Sequence, residues 1–340
     1  MLVSRGLVDL QVNGFAGVDF NDPAITPADL DRALEAMLGT GVTHCLPTVI
    51  TAHPQQLAER LRALDKAVAG SRLGPLMCPG YHLEGPFLNP APGFHGCHPP
   101  DAMTAARPEL IAEIEHGLSR PILMVTLAPE REGALALTHS LALAGKIVAI
   151  GHSAADFDEV AAAADAGLSL ATHLGNGLPQ TLHKLANPLF AQLAEDRLMA
   201  GFIADGIHVH PKALGALVRA KGAKRSILVT DAVVAAAAPA GRYHFAGMAV
   251  DRMPDGSVRQ ADGLLAGSAL CLDAAVRNVV AWGIATPQQA LAMASDHALA
   301  AIRPALSAHG ITLAEGEVEW SDELVVRRVR LADQDRRYDA

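Results

Sequence analysis

The fold of this chain is decided by a short stretch, residues 76–87, that reads LMCPGYHLEGPF. The apolar run from Leu76 to Leu83 predicts a buried strand, and the Gly85-Pro86 pair ends it. Glu84 is thereby left at the carboxyl end of a strand, where parallel α/β folds keep their active sites. Taken alone, Glu84 could equally be a solvated residue before a loop, since charged side chains are seldom buried without a partner.

Three more strand-like segments end beside a polar side chain of similar chemistry. They are Ile147 to Ile150 before His152, Leu168 to Thr172 before His173, and Ile227 to Thr230 before Asp231. Oxygen and nitrogen donors of this kind suit a borderline divalent metal such as zinc, which lowers the pKa of bound water toward neutrality. Most histidines are structural rather than ligands, and the chain has 15 of them. A structural role, however, does not predict that histidines follow successive strand ends.

Apolar runs alternate with segments of helical period along most of the chain, which is the pattern of βα units around a parallel sheet. Strands are predicted at residues 7–12, 42–49, 76–83, 122–127, 147–150, 168–172, 199–204 and 227–230. Helices are predicted at 27–38, 54–69, 108–116, 130–143, 156–166, 185–195 and 211–221. About eight such units make a (β/α)8 barrel of the TIM type, which we expect over residues 1–240.

Residues 241–340 lack the regular alternation of strand and helix patterns that predicts the barrel. Tyr243 to Val258 reads as a hairpin with Asp255-Gly256 at its turn. Two helices are predicted near 268–282 and 287–302, and residues 311–331 alternate like edge strands. We expect this part to form C-terminal helices and a small, reduced β appendage.

Composition and charge exclude several classes of protein. Half of the 340 residues are hydrophobic and the mean hydropathy is +0.23, so a large buried core is expected. The net charge of −9 argues against a nucleic-acid or anionic-membrane surface, because phosphates are held by clustered Lys and Arg. The four cysteines form no Cys-x-x-Cys pair, and we find neither a signal-peptide core nor a stretch of 18 apolar residues. We expect a cytoplasmic protein.

Eight short motifs occur in the order found in one known enzyme family. They are residues 9–14 (DLQVNG), 82–87 (HLEGPF), 93–95 (GFH), 151–153 (GHS), 172–176 (THLGN), 205–208 (DGIH), 229–232 (VTDA) and 265–268 (LAGS). Any one motif is weak, but eight in order are specific. From Val8 to about Ile302, the chain resembles the N-acetylglucosamine-6-phosphate deacetylases of the amidohydrolase superfamily. The resemblance implies a metal-dependent hydrolase that removes the N-acetyl group from N-acetylglucosamine 6-phosphate and releases acetate.

The resemblance also implies the metal ligands and the proton carrier. Glu84, His152 and His173 would bind the metal, and Asp231 would act first as general base and then as general acid. Most amidohydrolases carry His-x-His at the first strand end, which supports a two-metal centre. Here residues 11–13 read Gln-Val-Asn, and neutral amides are poor zinc ligands. We expect one divalent ion per active site, with zinc first and iron or another divalent ion as alternatives.

The substrate would contact a second set of residues, according to the same resemblance. His95 would contact the acetyl carbonyl and take part in catalysis, and His208 would lie on the sugar side of the pocket. Asn176 and the backbone of Gly177 would hold polar groups of the substrate. The family has Ala-Met where this chain has Gly177-Leu178, so we expect a reshaped floor of the sugar pocket.

The chain departs from the family where the family binds phosphate with the arginine of an Arg-Glu-Pro-Gly motif. Here residues 182–188 read LHKLANP, and an ungapped alignment puts Lys184 in the place of that arginine. Lysine holds phosphate as a point charge rather than a bidentate fork, and an ordinary solvated lysine is the competing interpretation. A related amidohydrolase acting on an unphosphorylated N-acetyl amino sugar or an N-acyl amino acid is therefore a second hypothesis.

Two further expectations concern the appendage and the assembly. The chain starts almost at the first barrel strand, so we expect the N-terminal strands of the family's small β domain to be missing. We also expect a homodimer that has a small-molecule substrate and no nucleic-acid or membrane partner.

Overall fold

The computed structural model describes residues 2–338. Short runs of buried apolar residues form its strands, and segments with one buried face form its helices. The strands are β1 (Leu2–Arg5), β2 (Leu7–Val12), β3 (Gly14–Phe15), β4 (Val18–Asp19), β5 (Val42–Ile50), β6 (Tyr81–Glu84), β7 (Ile122–Leu127), β8 (Ile147–Ile150), β9 (Leu168–Ala171), β10 (Met199–Ile203), β11 (Ser226–Val229), β12 (Gly241–Phe245), β13 (Met248–Arg252), β14 (Val258–Arg259), β15 (Gly316–Trp320), β16 (Val326–Leu331) and β17 (Gln334–Arg337). The helices are α1 (Pro27–Gly39), α2 (Pro54–Gly70), α3 (Gly74–Met77), α4 (Pro108–Glu115), α5 (Ala134–Leu143), α6 (Phe157–Asp165), α7 (Pro188–Ala194), α8 (Pro211–Lys221), α9 (Leu272–Ala281), α10 (Pro287–Ala294) and α11 (Asp296–Ala308).

Eight parallel strands form the barrel, in the order β11-β10-β9-β8-β7-β6-β5-β2. The barrel closes where the segment after β11 meets the end of β2. There the backbone N–H of Asp231 donates to the carbonyl of Gln11 at 2.9 Å, and the N–H of Asn13 donates to the carbonyl of Ala232 at 2.7 Å. Helices alternate with these strands along the chain, which confirms the predicted (β/α)8 fold.

A buried carboxylate fastens the same seam between β2 and β11. Asp9 on β2 accepts a hydrogen bond from the Thr230 hydroxyl at 2.5 Å and from the backbone N–H groups of Thr230 (3.2 Å) and Gln11 (3.3 Å). Burial raises the pKa of Asp9 to about 7, which these hydrogen bonds only partly oppose. The seam is thus held by one acid side chain that reaches across from the first barrel strand to the last.

The strand that ends at Glu84 is shorter than predicted. Residues 74–77 form the short helix α3, and β6 begins only at Tyr81. Pro75 stands in the first turn of α3, where its missing N–H is not needed, and the Ser71 hydroxyl accepts from the N–H of Gly74 at 2.6 Å. The predicted carboxyl end at Glu84 is confirmed.

The segment after residue 240 contains more elements than predicted. The predicted hairpin is a three-stranded meander, β12-β13-β14, whose first turn lies at Ala246-Gly247. Both turn residues have positive φ, as tight hairpin turns require, and Asp255-Gly256 lies between β13 and β14 instead. The helix predicted near 287–302 is two helices, because the backbone of Ser295 leaves the helical conformation and its hydroxyl donates to the carbonyl of Leu291.

A second antiparallel sheet joins the two ends of the described chain. Its order is β1-β15-β16-β17, so one strand before the barrel does belong to the appendage, against expectation. The indole N–H of Trp320 donates to the hydroxyl of Ser4 at 2.9 Å within this sheet. Helices α9, α10 and α11 pack against β11, and α10 and α11 also pack against β2. None of the helices between residues 2 and 338 is both long and apolar enough to cross a membrane.

Candidate active site at the carboxyl ends of the barrel strands

The predicted strand-end residues meet at one end of the barrel. Glu84 is the last residue of β6, and His152, His173 and Asp231 each lie two residues beyond the end of β8, β9 and β11. These last three residues have φ of 52°, 31° and 49°. Positive φ is uncommon for residues other than glycine and clusters at functional sites. The chain therefore turns sharply at these three strand ends.

Glu84 is the centre of the group. Its Oε1 lies 3.1 Å from Nε2 of His173 and 3.5 Å from Nε2 of His152, and all three side chains are buried. Burial alone would raise the pKa of Glu84, but hydrogen bonds from the two histidines outweigh burial and hold that pKa well below its usual range. Burial likewise would lower the pKa of His173, but Glu84 raises it. The contacts thus favour a charged carboxylate facing two imidazoles.

Outer contacts orient the imidazoles toward Glu84. Nδ1 of His152 donates to the carbonyl of Phe94 at 2.6 Å, which fixes the ring with Nε2 toward the carboxylate. A third histidine, His98, stands beside this pair, with its Nδ1 hydrogen-bonded to the Thr51 hydroxyl at 2.9 Å. Ligand atoms of Glu84, His98 and His152 lie within 4.8 Å of one another, so this buried cluster could hold a metal ion.

Asp231 stands next to Glu84 and is held by two amides. Nδ2 of Asn13 donates to Oδ1 of Asp231 at 2.8 Å, and Nε2 of Gln11 donates to the same oxygen at 3.1 Å. The Gln11 amide also donates to Oε2 of Glu84 at 3.1 Å, so it bridges the two carboxylates. Burial, and then the charge of Glu84, raise the pKa of Asp231 to about 6. Gln11 and Asn13 therefore serve here as donors to carboxylates, where other amidohydrolases carry His-x-His.

These side chains line a cavity of about 490 Å³. The predicted substrate contacts His95, Asn176, Gly177 and His208 line it as well. Nδ1 of His95 is buried and has no hydrogen-bond partner among residues 2–338, so it is available to a ligand. Lys184 does not line the cavity, because it is an exposed residue of the loop before α7. The structure therefore brings together all of the predicted site residues except Lys184.

The loop after β10 holds His208 in the cavity wall. Nδ1 of His208 lies 2.6 Å from Oδ2 of Asp205, and Oδ1 of Asp205 accepts from the backbone N–H groups of Ile207 and His208. Burial would raise the pKa of Asp205, but these contacts lower it overall. Asn176 has a similar local role, because its side-chain amide donates to the carbonyl of His173 at 3.0 Å.

Two cavity residues were not singled out from the sequence. His98 belongs to Gly96-Cys97-His98, which repeats the Gly-x-His spacing of Gly93-Phe94-His95, so spacing alone does not choose between the two histidines. Arg259 lines the cavity from β14 and lies outside all eight motifs. No motif or spacing in the sequence marks Arg259 as a cavity residue.

Comparisons with known proteins agree with this arrangement. The chain is 38% identical over 300 residues to the N-acetylgalactosamine-6-phosphate deacetylase of Escherichia coli O157:H7, covering 87% of this chain and 77% of that protein. It is 31% identical over 354 residues to the N-acetylglucosamine-6-phosphate deacetylase of Danio rerio, covering 98% of this chain and 84% of that protein. No family profile matches the chain.

Solved structures of similar enzymes share the whole fold. The N-acetylglucosamine-6-phosphate deacetylase of Pasteurella multocida matches with a TM-score of 0.85 and 27% identity over 99% of this chain and 86% of that chain. A mutant of the Mycobacterium smegmatis enzyme, in complex with N-acetyl-D-glucosamine 6-phosphate, matches with a TM-score of 0.84 and 29% identity over 98% of this chain and 86% of that chain. Fold and site together define an amidohydrolase of the TIM-barrel type. The identity and coverage of its relatives show that the chain belongs to the N-acetylglucosamine-6-phosphate deacetylase family of enzymes.

Proposed function

We propose that the protein hydrolyses the N-acetyl group of N-acetylglucosamine 6-phosphate, releasing acetate and the amino sugar phosphate. One observation carries the proposal: Glu84, His152, His173 and Asp231 converge on a single cavity at the carboxyl ends of the strands. An amide bond needs an activated water and a proton for the departing amine. The first three residues suit a metal that activates water, and Asp231 suits the proton.

Glu84, His152 and His173 would hold one divalent ion, and zinc is the ion we propose. The donor set fits, because buried imidazole nitrogens face one carboxylate oxygen and the outer nitrogen of His152 is fixed by a carbonyl. Such an ion, when bound, supplies an acidified water and polarises the acyl oxygen. His98 lies in the same cluster, so we propose that it shares with His95 the contact to the acetyl group.

Asp231 would move the proton in both halves of the reaction. Its Oδ1 is held by Gln11 and Asn13, which fixes the carboxylate beside Glu84 without neutralising it. The carboxylate would take a proton from the attacking water and then give it to the amine nitrogen, because an amine leaves poorly unless it is protonated. His208, Asn176 and the backbone of Gly177 would position the sugar.

A panel of substrates tests the proposal. Acetate release would be measured with N-acetylglucosamine and N-acetylgalactosamine, each with and without a 6-phosphate, and with N-acyl amino acids. We expect the highest kcat/KM for N-acetylglucosamine 6-phosphate. The galactosamine epimer is the second candidate, because a relative with that activity is 38% identical to this chain. A preference for unphosphorylated sugars or N-acyl amino acids would overturn the proposal.

The proposal also covers the oligomeric state and the cellular location of the enzyme. We infer that it is a homodimer that works in the cytoplasm, where the substrate phosphate would be found. Light scattering of the purified protein would test the dimer, and fractionation of cells would test the location.

A further inference from the structure

Among the described residues, one arginine and no lysine lines the active-site cavity. Of the lysines and arginines at positions 2–338, Arg259 is the one that contributes to the cavity wall. The same cavity contains the carboxylates of Glu84 and Asp231, and the chain as a whole has a net charge of −9. A phosphate ester carries roughly −2 charge at neutral pH, so its binding in this cavity requires a local positive group.

The loop that follows Arg259 holds its guanidinium in place. Arg259 forms an antiparallel bridge with Leu265, which closes a tight loop, and Gly263 and Leu264 at the far end of that loop also line the cavity. Nη1 of Arg259 donates to the carbonyl of Gly263 at 2.7 Å, and Nε donates to the Ser257 hydroxyl at 3.1 Å. The side chain is therefore oriented before any ligand arrives, which reduces the entropy lost on binding.

The remaining edge of the guanidinium is unused. Nη2 of Arg259 makes no hydrogen bond to any residue between positions 2 and 338. The carboxylate of Asp255 feels the charge of Arg259, but it contacts the guanidinium only through Ser257, whose hydroxyl donates to Oδ1 of Asp255 at 2.7 Å. Arg242 on β12 of the same sheet differs, because it contacts both carboxylate oxygens of Asp251. A fixed guanidinium with free N–H groups and no carboxylate in direct contact is suited to an external oxyanion.

We propose that Arg259, rather than Lys184, binds the 6-phosphate of the substrate. The inference rests on the proposed function and deepens it, because it assigns the anion-binding group within the same cavity. The phosphate-binding side chain would then lie on β14 of the meander sheet. In the family, the arginine motif lies in the loop before α7. Charge-assisted hydrogen bonds from a guanidinium to phosphate then distinguish phosphorylated from unphosphorylated sugars.

Three variants test the proposal. Arg259→Gln removes the charge, Lys184→Gln removes the residue predicted from the sequence, and Arg242→Gln is a matched control on the same sheet and outside the cavity wall. We expect Arg259→Gln to lower kcat/KM for N-acetylglucosamine 6-phosphate by roughly tenfold to a hundredfold, mainly through KM, with little change for unphosphorylated N-acetylglucosamine. Lys184→Gln and Arg242→Gln should stay within about twofold of the wild type on both substrates.

A binding measurement gives the same test without turnover. Calorimetry should show that glucosamine 6-phosphate binds Arg259→Gln roughly tenfold to a hundredfold more weakly than it binds the wild type, and glucosamine should show no such difference. If Arg259→Gln does not fold, Arg259→Lys is the alternative variant. It keeps the positive charge but lacks the planar guanidinium that binds two phosphate oxygens, so its affinity for glucosamine 6-phosphate should fall by a smaller factor.

The outcomes separate this inference from the proposed function. Wild-type protein that releases no acetate from any N-acetylhexosamine 6-phosphate would overturn the proposed function. Wild-type activity on the phosphorylated sugar, together with equal losses on both sugars or no loss in Arg259→Gln, would overturn the assignment of Arg259 alone.

Discussion

His152, His173 and Asp231 share a backbone conformation that ordinary residues avoid. Each has positive φ, which costs on the order of 1 kcal/mol or more per residue and persists only where the surroundings enforce it. Here the surroundings are buried strand ends and contacts such as the bond from His152 to the carbonyl of Phe94. The residues proposed to bind the metal and to transfer the proton thus have backbone conformations that are unfavourable for the stability of the fold.

Asp231→Asn tests the proton transfer separately from metal binding and folding. An asparagine oxygen can still accept from Gln11 and Asn13, so the fold and the metal content should be unchanged. Turnover should fall by about 10²- to 10⁴-fold, because an amide can neither take nor give the proton. Acetate release, circular dichroism and metal analysis of the same preparation check this, and near-normal turnover would contradict the role of Asp231.

His98 and His95 can be distinguished by parallel substitution. His98 lies in the cluster with Glu84 and His152, whereas His95 lines the same cavity outside that cluster and has one unpartnered nitrogen. We expect His98→Gln to lower kcat by at least about a hundredfold and His95→Gln to lower it less, since losing one group at the reacting carbonyl costs about that factor. Steady-state kinetics measure both, and a larger loss in His95→Gln would reverse the assignment.

At the scale of elements, the seam between β2 and β11 depends on one acid. The pKa of Asp9 is raised from its ordinary value to about 7, so the folded state keeps this proton at pH values where the unfolded chain has lost it. This contribution to stability is therefore fully present below about pH 4 and is lost as pH rises through 7.

Asp9→Asn should remove that pH dependence. An asparagine oxygen can accept from the N–H groups of Gln11 and Thr230, and the Thr230 hydroxyl can donate to the Gln11 carbonyl at 3.2 Å. The stability of Asp9→Asn relative to wild type should rise by at least about 1 kcal/mol between pH 5 and pH 8, since one pKa unit corresponds to about 1.4 kcal/mol. Urea unfolding at the two pH values measures it; a constant difference would show that Asp9 does not titrate in this range.

Two loops of the cavity wall meet at Gly93. A Cβ on Gly93 would lie 2.5 Å from Cβ and 2.7 Å from Cα of Pro179, so Gly93→Ala must push the two loops apart. Gly175→Ala is a matched control, because Gly175 also lines the cavity with positive φ, but such a Cβ would make only ordinary contacts, 3.5 Å from Val209 and 3.6 Å from Leu217.

We expect Gly93→Ala to raise KM by about tenfold, consistent with overpacking costs of about 1–3 kcal/mol, and Gly175→Ala to change KM by less than about threefold. Initial-rate kinetics on both variants measure the difference. Equal effects would mean that the conformational strain of alanine, rather than the contact with Pro179, controls the loops.

At the scale of the whole molecule, a metal held by Glu84, His152 and His173 should stabilise the fold. A ligand that binds only the folded state adds stability that grows with its concentration over its dissociation constant. Treatment with a chelator should lower Tm and abolish turnover, and one equivalent of zinc per chain should restore both. In Glu84→Gln the chelator should leave Tm unchanged, because the site has lost its charged ligand. Calorimetry and metal analysis test this, and two tightly bound ions per chain would contradict it.

The barrel and most of the site were predictable because their signals are local. Buried strands such as residues 122–127 and 147–150 are apolar along nearly their whole length, and parallel strands bring their carboxyl ends to one place. Arg259 was not predictable, because its place in the cavity depends on how β14 packs over the barrel mouth. The break at Ser295 was also missed, since a single residue leaves the helix there without a proline or glycine.

The sheet that joins β1 to β15 sets an order of events during protein synthesis. The indole of Trp320 and the hydroxyl of Ser4 are 316 positions apart in the chain. At a synthesis rate of roughly 5–20 residues per second, the first strand leaves the ribosome about 15 to 60 seconds before its partner. Throughout that interval β1 has an unpaired edge, and the barrel strands emerge and can pair before the small sheet exists. The nascent chain can therefore assemble the barrel before β1 can pair with β15.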